Sequence, residues 1–264
     1  MSLDFKGKNV LVTGGSKNIG KRTVECFLET GANVVFTFHG NEARAKETYD
    51  ELKPKVQGVF AYFRSNCGEV ADVEATFDFC KKVMGPVDFL VNNAANLTNA
   101  TNKTSDKDLP TIMRTTPEEF DDQMNGTLTS VFYHIRRMVR DCIADGREGR
   151  IVNVSSKAGV STKSGILAYA AAKAGVTMLT NVMGMELGKY GIITTGIMPG
   201  FVDDGYAVGD NSRFKGHLND QNVGPVGRVA CGRDMAEMIV ALCGPAGTFA
   251  IGEVVDMTGG RLLQ

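Results

Sequence analysis

"VTGGSKNIGKR", residues Val12 to Arg22, follows a short apolar run and leads into a helical pattern. A strand that ends in a Gly-rich turn and continues as a helix suits an anionic phosphate. Small residues let the backbone come close, and the helix N-terminus offers free N–H groups and the positive end of its dipole. Gly14 and Gly20 would let strand and helix approach each other, with Ser16, Lys17, Asn18 and Ile19 in the turn between them. The spacing differs from the common G-x-G-x-x-G pattern, and a Gly-rich turn by itself is often only a turn. Asn18 stands where such turns usually carry a third glycine. If its backbone takes positive φ, asparagine is among the least costly replacements, and its amide could also bond within the loop or to a phosphate, so a turn that still binds its phosphate is expected.

Outward from this turn, β-branched runs alternate with longer helical patterns. "NVLVT" precedes a helix from about Ile19 to Thr30, "NVVFTF" precedes "EARAKETYDELK", and "VQGVFAYF" precedes "VADVEATFDFCKKVM". "VDFLVNN" is followed by one long helical pattern, "PEEFDDQMNGTLTSVFYHIRRMVRDCIADG". "GRIVNVSS", "GIITTGIMPG" and "GEVVDMTGG" add strands, with helices near Leu167–Tyr190 and Asp234–Cys243. This alternation predicts an α/β fold with a doubly wound parallel sheet of seven strands and helices on both faces. Ligand then binds beyond the carboxyl ends of the strands. Two stretches after predicted strands, 96–116 and 203–223, are polar or rich in Gly, Asp and Asn. They are expected to be irregular substrate-shaping loops, the second a lid.

The 264 residues carry no linker-like break, so a single domain over residues 1–264 is expected. With 43% hydrophobic and 22% charged residues the chain is long and apolar enough to bury a core. A net charge of −1 argues against a general nucleic-acid binder and for a small-molecule partner. The six cysteines form no C-x-x-C pair and the three histidines do not cluster with them, so no metal site is expected and the thiols read as free. The N-terminal segment fits a first strand better than a signal peptide. "ILAYAAAKAGV" is broken by Lys173, and no membrane-length apolar run follows. A cytoplasmic protein without membrane contact is expected, and the sequons at Asn96, Asn99 and Asn102 then mark only a polar loop.

Tyr169 and Lys173 lie four residues apart in a helical pattern, hence on one face. A free phenol titrates near 10, and a neighbouring ammonium favours the phenolate and brings it toward working range. Ser155 and Ser156 end a predicted strand just before this helix, where a hydroxyl can donate to a carbonyl oxygen. Asn92, Asn93, Ala94 and Ala95 follow the fourth strand, and Pro199 and Gly200 the sixth.

In this combination the chain resembles the short-chain dehydrogenase/reductase family, from about Lys6 to Gly260. The family's T-G-x-x-x-G-x-G turn is matched by Thr13 to Gly20 except at Asn18, its N-N-A-G by Asn92 to Ala95 with Ala95 for glycine, and its Y-x-x-x-K by Tyr169 and Lys173. The family's serine lies thirteen residues before the tyrosine, which selects Ser156 over Ser155. The resemblance implies an oxidoreductase interconverting a ketone and a secondary alcohol by hydride transfer with a nicotinamide cofactor. Tyr169 is then the general acid/base and Ser156 polarises the carbonyl. Lys173 holds the nicotinamide ribose and lowers the tyrosine's pKa, and Asn125 organises a proton-relay water. The dinucleotide is expected against Gly14, Ser16, Lys17, Asn18, Ile19, Gly20, His39, Asn66, Asn93, Ala94, Tyr169, Lys173, Pro199, Gly200 and Val202. A homotetramer, or a homodimer, built through the long helices containing Asn125 and Tyr169 and the C-terminal strand, is implied as well.

NADP(H) is expected in preference to NAD(H). The second strand ends Phe38-His39 without a carboxylate, Phe38 occupies the place of an NAD-selecting aspartate, and Lys17 sits in the turn. Asp204 departs from the family's threonine near the nicotinamide. Reduction of 3-oxoacyl groups on a carrier protein or CoA is the alternative. Against it, Met185 stands where such enzymes carry a docking arginine, although Arg147 resembles their other one, and the 96–116 loop looks longer than theirs. A catalytically inactive dinucleotide-binding regulator is a third reading. Phe201, Tyr206, Val208 and Phe214 in the lid would suit an apolar ligand.

Overall fold

The computed structural model describes residues 3–96, 110–161, 165–203 and 225–260. Strand β1 (Asn9–Val12) is buried at every residue and passes through the Gly-rich turn into helix α1 (Asn18–Glu29). β2 (Asn33–Phe38) leads to α2 (Glu42–Leu52), β3 (Phe60–Arg64) to α3 (Val70–Val83), and β4 (Phe89–Asn92) to the segment outside the described residues. After it come α4 (Thr111–Arg114), α5 (Pro117–Met124), α6 (Ser130–Asp145), β5 (Gly149–Val154), α7 (Leu167–Leu187) and β6 (Ile192–Pro199). A short pair, β7 (Val202–Asp203) with β8 (Ala230–Cys231), stands apart, and α8 (Gly232–Cys243) and β9 (Val254–Met257) close the chain.

Seven strands form one sheet in the order β3-β2-β1-β4-β5-β6-β9, every pairing parallel, as the alternation predicts. β1 pairs with β2 on one side and β4 on the other, so the order reverses there and opens the crevice where doubly wound sheets take their ligands. Side chains alternate across the sheet. Val10, Val12, Val34 and Phe36 pack with Val24 and Phe27 of α1 and Met235 and Ile239 of α8 on one face. Leu11, Val35 and Leu90 pack with Phe77 of α3, Ile135 and Met138 of α6 and Val176 of α7 on the other. Both faces are covered, hence the nearly continuous apolar strands.

The structure corrects several boundaries. The long helical pattern after Pro117 is two helices joined by a π-turn at Asn125–Thr129. Gly126 and two threonines propagate a helix poorly. The widened turn also lets Gly126 approach Asn96, whose Cβ lies 2.8 Å from where a side chain at 126 would begin. Thr111–Arg114 forms one helical turn inside the segment expected to be irregular, and Thr116 with Glu119 makes a capping box that starts α5. The helix expected to reach Tyr190 tightens to a 3-10 turn at Gly188–Tyr190 and stops at Gly191, whose φ is 71°. The lid residues Tyr206, Val208 and Phe214, and Asp204, lie outside the described residues. No described helix is long and apolar enough to cross a membrane.

Candidate active site

Each glycine of the turn has its own reason to be glycine. A Cβ on Gly20 would lie 2.2 Å from the Gly14 carbonyl oxygen and 2.6 Å from Asn93 Nδ2, and one on Gly15 would lie 2.4 Å from Phe36 Cβ. Position 18 needs only a backbone angle. Asn18 has φ 53°, the one non-glycine positive φ among the described residues, so the condition under which asparagine replaces glycine at little cost is met. Thr13 and Asn93 tie the turn to the end of β4. Thr13 Oγ1 accepts the N–H groups of Asn93 and Ala94, each at 3.0 Å, and Asn93 Nδ2 donates to the carbonyls of Thr13 and Gly14 at 2.9 and 3.1 Å. Thr37 secures the other side, taking the N–H of Gly14 on its hydroxyl and that of Gly15 on its carbonyl. No side chain caps α1, and its first turn holds no acid.

Around β5 the two serines part. Ser155 is buried and donates to the Lys173 carbonyl at 3.0 Å, with Thr177 Oγ1 2.6 Å away, so it anchors α7. Ser156 faces the crevice. Its Oγ accepts the Ala158 N–H at 3.2 Å, and the Ser156 side chain is close enough to the Tyr169 hydroxyl to pull the phenol's pKa downward. Gly159 permits this closeness, because a Cβ there would meet the Ala174 nitrogen at 2.7 Å. Below, Lys173 is 3% exposed, its Nζ donating to the Val154 carbonyl at 2.7 Å and lying 5.8 Å from the centre of the Tyr169 ring.

The electrostatics correct one expectation. Burial raises the Tyr169 phenol above its ordinary value, and the Ser156 hydrogen bond only opposes that rise. The net direction is upward, and Lys173 is not among its causes. Desolvation lowers the lysine itself to about 8, since burial disfavours its charged form too.

Ser156, Tyr169 and Lys173 are thus together, beside a turn held to Asn93 and Ala94. Asn125 is not hydrogen-bonded to any of the three. Its amide rests against the turn after β3, with Nδ2 2.6 Å from where a Cβ on Gly68 would stand. Thr127, two residues on, is fully buried, and its hydroxyl accepts from Gln123 at 2.7 Å and from the Asn96 N–H at 3.3 Å. Asn66 folds an Asx turn, accepting the Gly68 N–H at 3.1 Å. Pro199 ends β6, Gly200 lies against Thr258, and Val202 sits in the β7–β8 pair, all on the carboxyl edge. Lys17 and His39 are exposed, and Phe38 is buried against the Tyr62 ring.

Several contributors went unseen in the sequence. Asn92 Nδ2 donates to Asn153 Oδ1 at 2.8 Å and Asn153 Nδ2 to Thr180 Oγ1 at 3.0 Å, a buried chain joining β4, β5 and α7 beneath the site. Thr37 and Arg64, at the ends of β2 and β3, are two more. Only the assembled sheet shows that Thr37 takes the N–H groups of Gly14 and Gly15 and that Arg64 bonds the His39 carbonyl. Among the described residues no group of three or more His, Cys, Asp or Glu side chains is placed to hold a metal ion.

A doubly wound parallel sheet with a Gly-rich turn at its switch point defines the dinucleotide-fold class of α/β proteins. Within it, this chain belongs to the short-chain dehydrogenase family, whose model matches residues 8–213. It is 31% identical over 263 residues to the 3-oxoacyl-[acyl-carrier-protein] reductase of Vibrio harveyi, covering 99% of this chain and 100% of that one. It is 30% identical to a sorbitol dehydrogenase of Cereibacter sphaeroides over the full length of both. A 2,5-dichloro-2,5-cyclohexadiene-1,4-diol dehydrogenase of Sphingobium indicum is also 30% identical, over 97% of this chain. The fold is similar to a crystal structure of a short chain dehydrogenase from Bacillus anthracis, with a TM-score of 0.82 at 25% identity and 98% coverage of both chains. The chain is therefore an oxidoreductase of that family.

Proposed function

We propose that the protein interconverts a ketone and a secondary alcohol with NADP(H), Tyr169 serving as general acid and base. The observation that carries this reading is the convergence of three side chains: Lys173 Nζ lies 5.8 Å from the centre of the Tyr169 ring and is bonded to the end of β5, and Ser156 acts on the same phenol.

The residues present fit a dinucleotide. Gly15 and Gly20 keep side-chain atoms out of the turn, the N-terminus of α1 has no side-chain cap, and Asn93 holds the turn open from below. Gly14 to Gly20, Asn66, Asn93, Ala94 and the Pro199–Val202 edge would hold it, as would Lys173. When bound, the nicotinamide supplies or takes up the hydride. In reduction, the Ser156 hydroxyl holds the carbonyl oxygen and Tyr169 gives up its phenolic proton as negative charge develops there. A phenol kept neutral by burial is ready to act as that acid. Lys173, while charged, steadies the phenolate left behind. Asn125, turned toward Gly68, would take part in proton relay only through its backbone. NADPH oxidation with a panel of ketones and 3-oxo thioesters tests the reading; a chain that binds the nucleotide and turns over none of them would reject it.

The carrier-linked 3-oxoacyl reductase remains the second reading, favoured by the Vibrio harveyi relative. Against it, Arg147 is engaged with Asp145 and the Val87 carbonyl, each at 3.3 Å, and Met185 is 88% exposed where a docking cation would serve. We further propose a cytoplasmic homotetramer. Phe132 and Ile143 on α6 and Met178, Val182 and Met185 on α7 are exposed apolar side chains, as is Phe249 beside the edge strand β9, and the six thiols are free. Sedimentation at micromolar concentration checks the assembly, and a monomer overturns it.

A further inference from the structure

The charged group nearest the end of β2 is not on β2. In the register of the sheet Phe38 faces Arg64, the last residue of β3, so the arginine stands level with the point where the second strand leaves the sheet. Its Nε donates to the His39 carbonyl at 3.3 Å. Among the described residues Arg64 has no carboxylate partner, which it shares with Arg44, Arg114, Arg136 and Arg150, but of these it alone is bonded to the residue that follows β2. One edge of the guanidinium is thus held by the backbone, on an exposed residue that ends β3 at the carboxyl edge of the sheet. A planar fork held in this way suits a phosphate, which it meets with two parallel hydrogen bonds.

Resting on the NADP(H) reading above, we infer that Arg64 is the residue that selects the 2′-phosphate, and that His39 contributes its backbone rather than its imidazole. The placement supports the division. Phe38 is buried against Tyr62 and brings no charge, and His39 is committed to Arg64 through its carbonyl, an atom that no substitution at position 39 removes. Lys17, at the N-cap of α1, is a second exposed cation.

Equilibrium binding of NADP+, NAD+ and 2′,5′-ADP by titration calorimetry tests this without turnover. Arg64→Gln should weaken NADP+ and 2′,5′-ADP about tenfold or more and leave NAD+ unchanged. His39→Ala should alter none of the three by more than about twofold, since the carbonyl survives. Arg64→Lys should fall between, keeping the charge and losing the Nε anchor. Wild-type preference for NADP+ with unchanged binding in Arg64→Gln overturns the assignment to Arg64 alone. A loss in His39→Ala equal to that in Arg64→Gln overturns the backbone role. A wild-type protein that binds NAD+ as tightly as NADP+ overturns the NADP(H) reading itself.

Discussion

Lys173 Nζ donates to the main-chain oxygen of Val154, 2.7 Å away, and thereby joins the helix that carries Tyr169 to the end of the strand that carries Ser156. The ammonium is buried, and its pKa falls from 10.5 to about 8. Between those values the unfolded chain binds the proton that the folded chain has released, so stability contributed by this group rises with pH from about 8 to 10.5. Denaturation of the wild type and of Lys173→Met at pH 7.5 and 10 should show it. The stability difference between the two should shift toward the wild type by about 2 kcal/mol on raising the pH. A constant difference would place the lysine in contact with water.

Tyr169→Phe removes one proton and one oxygen while leaving the turn intact. We expect kcat to fall at least about a hundredfold with the dissociation constant of the nucleotide unchanged. Stopped-flow and fluorescence titration separate the two, and a variant with wild-type kcat would remove Tyr169 from the chemistry.

Gly20 and Asn18 should answer substitution in opposite ways. Gly20→Ala sets a methyl 2.2 Å from the Gly14 carbonyl oxygen and must push the turn open, costing nucleotide affinity. Asn18→Gly keeps an allowed backbone angle and should change stability by less than about 1 kcal/mol. Equal losses of nucleotide binding in the two would mean that position 18 contributes through its amide.

Gly159→Ala tests whether the Ser156 turn must lie against α7. The added Cβ would meet backbone atoms of Lys173 and Ala174 at 2.7 to 3.0 Å. Overpacking of this kind costs about 1 to 3 kcal/mol, and displacement of Ser156 should lower kcat more than it raises KM. Unchanged kinetics would show that the turn has room to move.

His134 predicts behaviour in acid. It is fully buried on α6, its Nδ1 donates to the Ser130 carbonyl at 2.8 Å, and burial lowers its pKa from 6.5 to about 4. The folded state keeps it neutral while the unfolded chain takes up a proton, so stability is lost as pH falls from about 6.5 toward 4. His134→Leu should flatten that slope, removing about 2 kcal/mol of pH dependence between pH 7 and 4.5. Urea midpoints at pH 7 and 4.5 measure it, and parallel slopes for wild type and variant would contradict the burial.

Legible in the sequence were the features that depend on neighbours along the chain. Alternating apolar runs specify the parallel sheet, because strands covered on both faces have no polar side to display. The turn after β1 is read from its glycines, and the sequence shows that Asn18 tolerates the positive φ that the structure gives it. Tyr169 and Lys173 share a face because a helix brings residues four apart together. The remainder was decided by residues distant in sequence. Gly20 must be glycine because Asn93 and the Gly14 carbonyl occupy the space beside it. The phenol of Tyr169 rises because packing removes water around it, a cost that outweighs the opposing pull of Ser156, and the same burial disfavours the charge of Lys173. Arg64 meets His39 only because β2 and β3 lie side by side in one register, so the cation at the edge of the crevice is invisible until the sheet is assembled.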